Sequence, residues 1–306
     1  MPAFASHYIF AKEMMPFLKK TADFEINENA VYMGAQGPDV LFFHRVLPWM
    51  SGKSIRKYGS MLHRAKPGDI FENMREYCKN AKNLSVAGSY AYGFMLHYIL
   101  DRNCHPYVYS LQNKITSIHR LTNPHTAHNL IEFAMDAVLL NRRLGVKEPC
   151  LFKNADTILT DNTSGTQISK ILQYTVNATL GAKVKAEQAL TAFADTAYIQ
   201  KISYDPTGIK RMLLTPFDTI IAPFCGNFKF AALIRPRDLE KAKKYANIEH
   251  NEWKSPYSSL LRNESFEELF ELSEQEAKEM IPSFQSGTDC GVITQNKSFL
   301  TGVEIK

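Results

Sequence analysis

The chain has 306 residues, of which 45% are hydrophobic and 22% charged, a balance that describes a folded globular protein and excludes a disordered or low-complexity polypeptide. Its 36 basic and 31 acidic residues leave a formal net charge of +5, a weak general pull toward anions and far short of a dedicated nucleic-acid surface. Five widely spaced cysteines with no C-x-x-C pair exclude a disulfide framework, and no leader-like basic and apolar stretch opens the chain, so a cytoplasmic setting is expected.

Helical periodicity dominates and predicts an all-α, multi-helical bundle. In chain order the expected helices cover residues 6–20, 55–64, 70–79, 86–102, 127–144, 167–180, 185–201, 236–246 and 266–280. Gly34, Gly37 and Pro38 break the chain before Asp39, Pro67 and Gly68 are expected to close the helix carrying His63, and Pro106 the helix carrying His97. Residues 83–100 are uncharged, but Ser85, Ser89, Tyr90, Tyr92 and His97 make them a helix buried in protein and not a membrane span. The densest basic stretch, 235–244, is interleaved with Asp238 and Glu240 and reads as the solvated face of a helix. With 147–164 as a linker, the layout is a metal-binding region over 1–146 and a C-terminal helical extension over 147–306 packing on it as one globule, because all but one of the nine histidines precede residue 129.

The chemistry-bearing residues fall in four groups. His97-x-x-x-Asp101-x-x-x-His105-Pro106 places imidazole and carboxylate one helical turn apart on one face, and His128-x-x-x-Glu132 repeats that spacing. Imidazole nitrogen with carboxylate oxygen is a donor mixture that Zn²⁺ accepts, although either pair alone also suits a surface ion pair or a core histidine. Gly34-Ala-Gln-Gly37-Pro38-Asp39 sets a carboxylate after a rigid turn, and Gly59-Ser-Met-Leu-His63 sets a histidine among apolar neighbours. Asp136 shares the face of Glu132 and is expected to orient His128 or His105 from behind. His44, His119, His125 and His250 read as structural or surface residues.

The order Gly-Pro-Asp, His, His-x-x-x-Asp-x-x-x-His-Pro, His-x-x-x-Glu resembles the zinc-dependent phospholipase C family over residues 6–136, and the tail with Glu264-Ser-Phe-Glu-Glu-Leu-Phe resembles that of its longer intracellular members. The resemblance implies a phospholipase C/nuclease-like helical fold with two zinc ions. His63, His97 and Asp101 would bind one, with Asp39 a further ligand or the catalytic base; His105, His128 and Glu132 would bind the other. A third ion is implied between Asp101 and a histidine near the N-terminus, for which His7 is the candidate. The implied activity is hydrolysis of a phosphodiester, in a phospholipid or another phosphoester substrate, by hydroxide generated on zinc, which lowers the pKa of bound water to about 7. Tyr90, Tyr92, Phe94 and Tyr98 are candidates for an aromatic box around a quaternary ammonium, or else core residues; Val40 stands where choline-selective relatives carry an aromatic residue. The alternatives are a nuclease or nucleotide phosphoesterase on the same fold, and a non-catalytic helical interaction module stabilised by zinc.

Overall fold

The computed structural model describes residues 4–119, 122–158 and 162–305. Its organising element is α5 (Leu84–Ile118), 35 residues long and so about 50 Å from end to end. Nearly every side chain on it from 86 to 108 is buried, and a helix apolar all round needs neighbours on all sides. They are α1 (Phe4–Thr21), α2 (Glu28–Ala35), α4 (Pro67–Lys79), α6 (Pro124–Leu144), α7 (Asn162–Leu180) and α11 (Phe266–Gln285). Outside this sheath stand α3 (Lys57–Arg64), α8 (Ala186–Ser203), α9 (Ile209–Ile221), the five-residue α10 (Leu239–Lys243) and α12 (Cys290–Thr294). A two-stranded antiparallel ribbon, Trp253–Lys254 with Leu261–Arg262, is the only sheet among the described residues, so the fold is all-α. No helix among them is long and apolar enough to cross a membrane.

Local chemistry starts these helices where they start. Asn27, Asn83 and Asn123 each accept a hydrogen bond from a first-turn amide of α2, α5 and α6, and Ser265 and Glu268 form a reciprocal capping box on α11. Gly145, at φ +66°, closes α6 in the left-handed conformation. Glycine also sets the closest helix contact: α2 crosses α5 where Gly34 meets Gly93, and a Cβ on either would collide with the backbone of the other helix.

Three expectations about boundaries are corrected. Pro106 does not end its helix; α5 continues through it to Ile118. Proline lacks the N–H that would serve the Arg102 carbonyl, and Gly302 of the C-terminal turn, at φ +66°, lies so close to that carbonyl that a Cβ there would stand 2.6 Å from it. Pro67 opens α4 and does not close α3, since at the first helical position its missing N–H costs nothing. Residues 235–244 do not form one solvated helix. Arg235 is buried, donating to the carbonyls of Pro149 (2.9 Å) and Phe152 (3.0 Å) and pairing with Asp136 (3.4 Å). Those carbonyls belong to the stretch expected as a linker, which holds short 3-10 turns at Pro149–Leu151 and Asn154–Thr157; its residues 159–161 lie outside the described residues.

The C-terminal half reaches back onto the N-terminal half. The buried apolar cluster runs from Phe4 to Phe299. Asp195 on α8 accepts from the Arg45 amide (2.8 Å) and Thr196 donates to the Val40 carbonyl (3.2 Å), so α8 braces the 3-10 turn Gly37–Phe43 that carries Asp39.

Candidate metal centre

Five elements deliver the eight residues singled out as ligands. His7 lies on the first turn of α1, whose end is held by Asp136: its carboxylate accepts from the amides of Ala5 (3.1 Å) and Ser6 (2.7 Å) and from the Ser6 hydroxyl (2.7 Å). This corrects the role expected for Asp136. Its oxygens are engaged by the start of α1 and by Arg235, so it positions the helix of His7 and does not orient His128 or His105. Asp39 sits on the 3-10 turn. Gly37 before it adopts φ +53°, and a Cβ there would overlap the His97 ring, so only glycine lets this turn close over that imidazole.

The other histidines share one device. Nδ1 of His63 lies 2.8 Å from the Gly59 carbonyl, that of His97 3.1 Å from the Ala35 carbonyl, that of His105 2.9 Å from the Phe299 carbonyl, and that of His128 2.9 Å from the Gln112 side-chain oxygen. An acceptor at Nδ1 keeps the proton there and turns the Nε2 lone pair toward the opposite side of the ring. In all four, Nε2 faces a carboxylate: His63 to Asp39 at 3.2 Å and to Asp101 at 3.6 Å, His97 to Asp101 at 3.2 Å, His105 to Glu132 at 3.6 Å and His128 to Glu132 at 3.0 Å. His7 Nε2 stands 3.3 Å from the other oxygen of Asp101, and its ring stacks on that of His97 with centroids 4.3 Å apart.

These separations suit a shared cation. Two donors each about 2.1 Å from a tetrahedral ion stand about 3.4 Å apart. Asp39 Oδ1, His97 Nε2 and Asp101 Oδ2 are buried and make no hydrogen bond, an expensive condition unless another positive partner satisfies them. Donor atoms within 4.8 Å of one another form three groups: His63, His97 and Asp101; His105, His128 and Glu132; and His7, Asp39 and His97. The first two have the composition that the resemblance implies. The third differs by grouping His7 with Asp39 and His97, while a cavity of about 30 Å³ among His7, Asp101, His105 and Glu132 is large enough for one small guest.

Electrostatics point the same way. Burial alone would raise the Asp101 carboxyl, but His105, His97, His63 and His7 around it hold it well below the usual carboxylate range. Burial likewise opposes ionisation of Glu132, and nearby positive charge, led by His128 and joined by a hydrogen bond from His105, outweighs it, lowering the pKa to about 2. Burial lowers His97 and His128 despite neighbouring carboxylates, so both rings favour the neutral, ligating form. Burial also disfavours a charged His63, yet Asp101 and Asp39 overcome it and raise its pKa to about 10, so the carboxylates favour positive charge here.

The centre opens to solvent through a cavity of about 340 Å³ whose wall includes Asp39, Phe42, His63, His105, Tyr109 and His128. Tyr90 and Phe94 are fully buried, Tyr98 donates to the Lys297 carbonyl (2.8 Å) and Tyr92 to Gln285 (2.8 Å). They are core, not a ligand box, and Phe42 and Tyr109 are the aromatic rings of the opening. Val40 is buried beneath the turn. His44 is buried too, accepting at Nδ1 from the Ile55 amide (3.3 Å), a structural role.

Sequence reasoning missed Gln112 and Phe299. Gln112 lies beyond the point where Pro106 was expected to end the helix, so nothing put it beside His128; Phe299 contributes a backbone carbonyl, which no side-chain pattern reveals. Its ring also lies against the centre, 5.5 Å from that of His63 and 4.7 Å from that of Tyr98. Gln112→Ala is expected to weaken zinc binding at the His105, His128 and Glu132 group about 10- to 100-fold by freeing the His128 ring. Gln112→Glu, which keeps the acceptor, should retain most of the affinity. Competition with a chromophoric chelator measures both.

A family model described as zinc dependent phospholipase C matches residues 4–189, a span that contains all eight residues of the centre. No curated protein and no solved structure matches the chain.

Proposed function

Because the chain belongs to the zinc-dependent phospholipase C family, we propose that it hydrolyses the phosphodiester of a phospholipid at this centre, holding two zinc ions and a third at His7. The observation that supports the reading most strongly is the convergence of eight buried donors from five elements, with the Nδ1 atom of four histidines occupied so that Nε2 is left for a metal. His63, His97 and Asp101 would hold one ion, His105, His128 and Glu132 another. Bound zinc supplies Lewis acidity and brings the pKa of its water to about 7.

The remaining work falls to the chain's own groups. Asp39 lines the solvent-accessible cavity and keeps an oxygen without a hydrogen bond, so it serves to orient the attacking water and accept its proton. Arg64 lines the same opening and offers a cation to the substrate phosphate. Phe42 and Tyr109 flank the entrance and exclude water from one side of the bound phosphate. Asp101, facing four imidazoles, fixes the spacing of the two donor groups.

The test compares a water-soluble aryl phosphodiester, phospholipid vesicles and single-stranded DNA with one zinc-loaded sample. Zinc-dependent hydrolysis of the first two, with release of diacylglycerol from the vesicles, is the expected result. Cleavage of the DNA alone would reassign the centre to nuclease chemistry, and inertness toward all three despite bound zinc would make it a structural site.

A further inference from the structure

The helix α9 carries an apolar face that the core does not cover. Ile209, Met212, Leu213, Pro216, Phe217 and Ile220 recur at the i, i+3, i+4, i+7, i+8, i+11 spacing of one helical face, yet that face is turned to solvent, and the five that are not proline are each half or more exposed. The inward side of the helix, made of Arg211, Leu214, Asp218 and Ile221, is held to the protein largely by polar contacts. Asp218 is its only buried residue and accepts from the amides of Phe230 (2.9 Å) and Ala231 (2.8 Å). Arg211 donates to the Ile234 carbonyl (2.9 Å), and its own amide donates to Asp205 (2.9 Å). Phe224, 88% exposed, extends the apolar surface past the helix end. An apolar patch of this extent on a water-soluble surface marks an interaction site.

We propose that α9 and Phe224 form a docking surface for an anionic phospholipid bilayer, into which the apolar stripe inserts with α9 lying in the plane of the interface. The inference rests on the phospholipid reading above and adds the means by which the centre meets a lipid surface; its residues lie outside the matched span 4–189. Charge identifies the occupant. From 198 to 238 the exposed ionisable groups of fixed sign are Lys201, Lys210, Lys229 and Arg237 against Asp238 alone; Asp205 and Asp218 are buried, as is Arg235, which pairs with Asp136. An apolar stripe bordered by a net excess of exposed cations fits an anionic lipid surface. A second copy of the chain would instead bring two such cationic surrounds together.

Position gives the second argument. The turn carrying Phe224 is fastened to the start of α6: Asn123 donates to the Gly226 carbonyl (2.6 Å) and the Lys229 amide donates to Thr126 (2.9 Å). Pro124, His125 and His128 of that same helix start line the mouth of the catalytic cavity, so the docking surface adjoins the opening through which a headgroup would enter.

The experiment sediments the full chain with vesicles of equal parts phosphatidylcholine and phosphatidylglycerol, and with phosphatidylcholine alone, next to a Met212→Ser/Phe217→Ser/Ile220→Ser variant. Wild type is expected to prefer the anionic vesicles and the variant to bind them about a hundredfold more weakly. Both should hydrolyse a soluble aryl phosphodiester at the same rate, which certifies the fold and the centre independently of docking. In a Phe217→Trp variant, indole emission should shift to the blue on adding vesicles. Undiminished binding by the triple variant, or unshifted emission, would overturn the proposal, as would a wild-type dimer that the triple substitution dissolves. Vesicle binding by a protein that hydrolyses no phosphoester would support the docking surface while removing the enzymatic reading.

Discussion

Asp101→Asn is expected to strip the centre of bound zinc and to reduce kcat/KM by about a thousandfold or more. One carboxylate oxygen of Asp101 lies 3.2 Å from His97 and 3.6 Å from both His63 and His105, and the other lies 3.3 Å from His7. The amide has the same shape but no charge, and its NH₂ group offers a donor where four imidazoles and a cation require an acceptor. Because the group is buried at the middle of α5, water cannot replace what is lost. Elemental analysis should find fewer zinc ions per chain than in wild type, hydrolysis of the aryl phosphodiester should collapse, and far-ultraviolet circular dichroism should be unchanged. Full zinc content with an undiminished rate would remove Asp101 from the centre, and with it the idea that the two donor groups act as one site.

The second large effect is expected at Gly93→Ala. A methyl group there collides with the Val31 carbonyl and stands 2.9 Å from the Ala35 amide; both are backbone atoms of a helix packed against buried α5, so nothing flexible can give way. Separating α2 from α5 is expected to destabilise the protein by about 3 kcal/mol, read as a fall of several degrees in the melting temperature. The damage should reach the chemistry. The Ala35 carbonyl that orients His97 and the 3-10 turn bearing Asp39 both ride on α2, so turnover at a temperature where the variant is still folded should fall as well. Gly165→Ala on α7 is the matched control: its methyl would meet only Leu190, at 3.5 Å, and helix propensity favours alanine. A melting temperature for Gly93→Ala as high as that of the control would show that the helix crossing is not close-packed as described.

The all-α class and most of the helices were legible because amphipathic and buried helices leave a period of 3.6 in the sequence. The candidate donor set was legible in part for the same reason, since i,i+4 spacing puts His97, Asp101 and His105, and again His128 and Glu132, on single faces. Three helices were not legible, α2, α9 and the five-residue α12. α2 is only eight residues long, too short for periodicity to stand out. The α9 stripe has helical spacing, but it does not pack on the core, so a reading that looks for core faces passes over it.

What the sequence determined by itself was therefore local: which segments are helical and which faces carry imidazole and carboxylate. Tertiary structure decided everything that depends on long-range neighbours. It carried α5 through Pro106, with Gly302 from the far end of the chain packed against the carbonyl that proline leaves without a donor. It assigned Asp136 to the start of α1, and supplied the acceptors at His105 and His128 from Phe299 and Gln112. It also turned the apolar face of α9 outward. A one-dimensional pattern records the period of a helix but not the identity of the atoms that meet it, and in this protein those atoms come from segments up to 228 residues away.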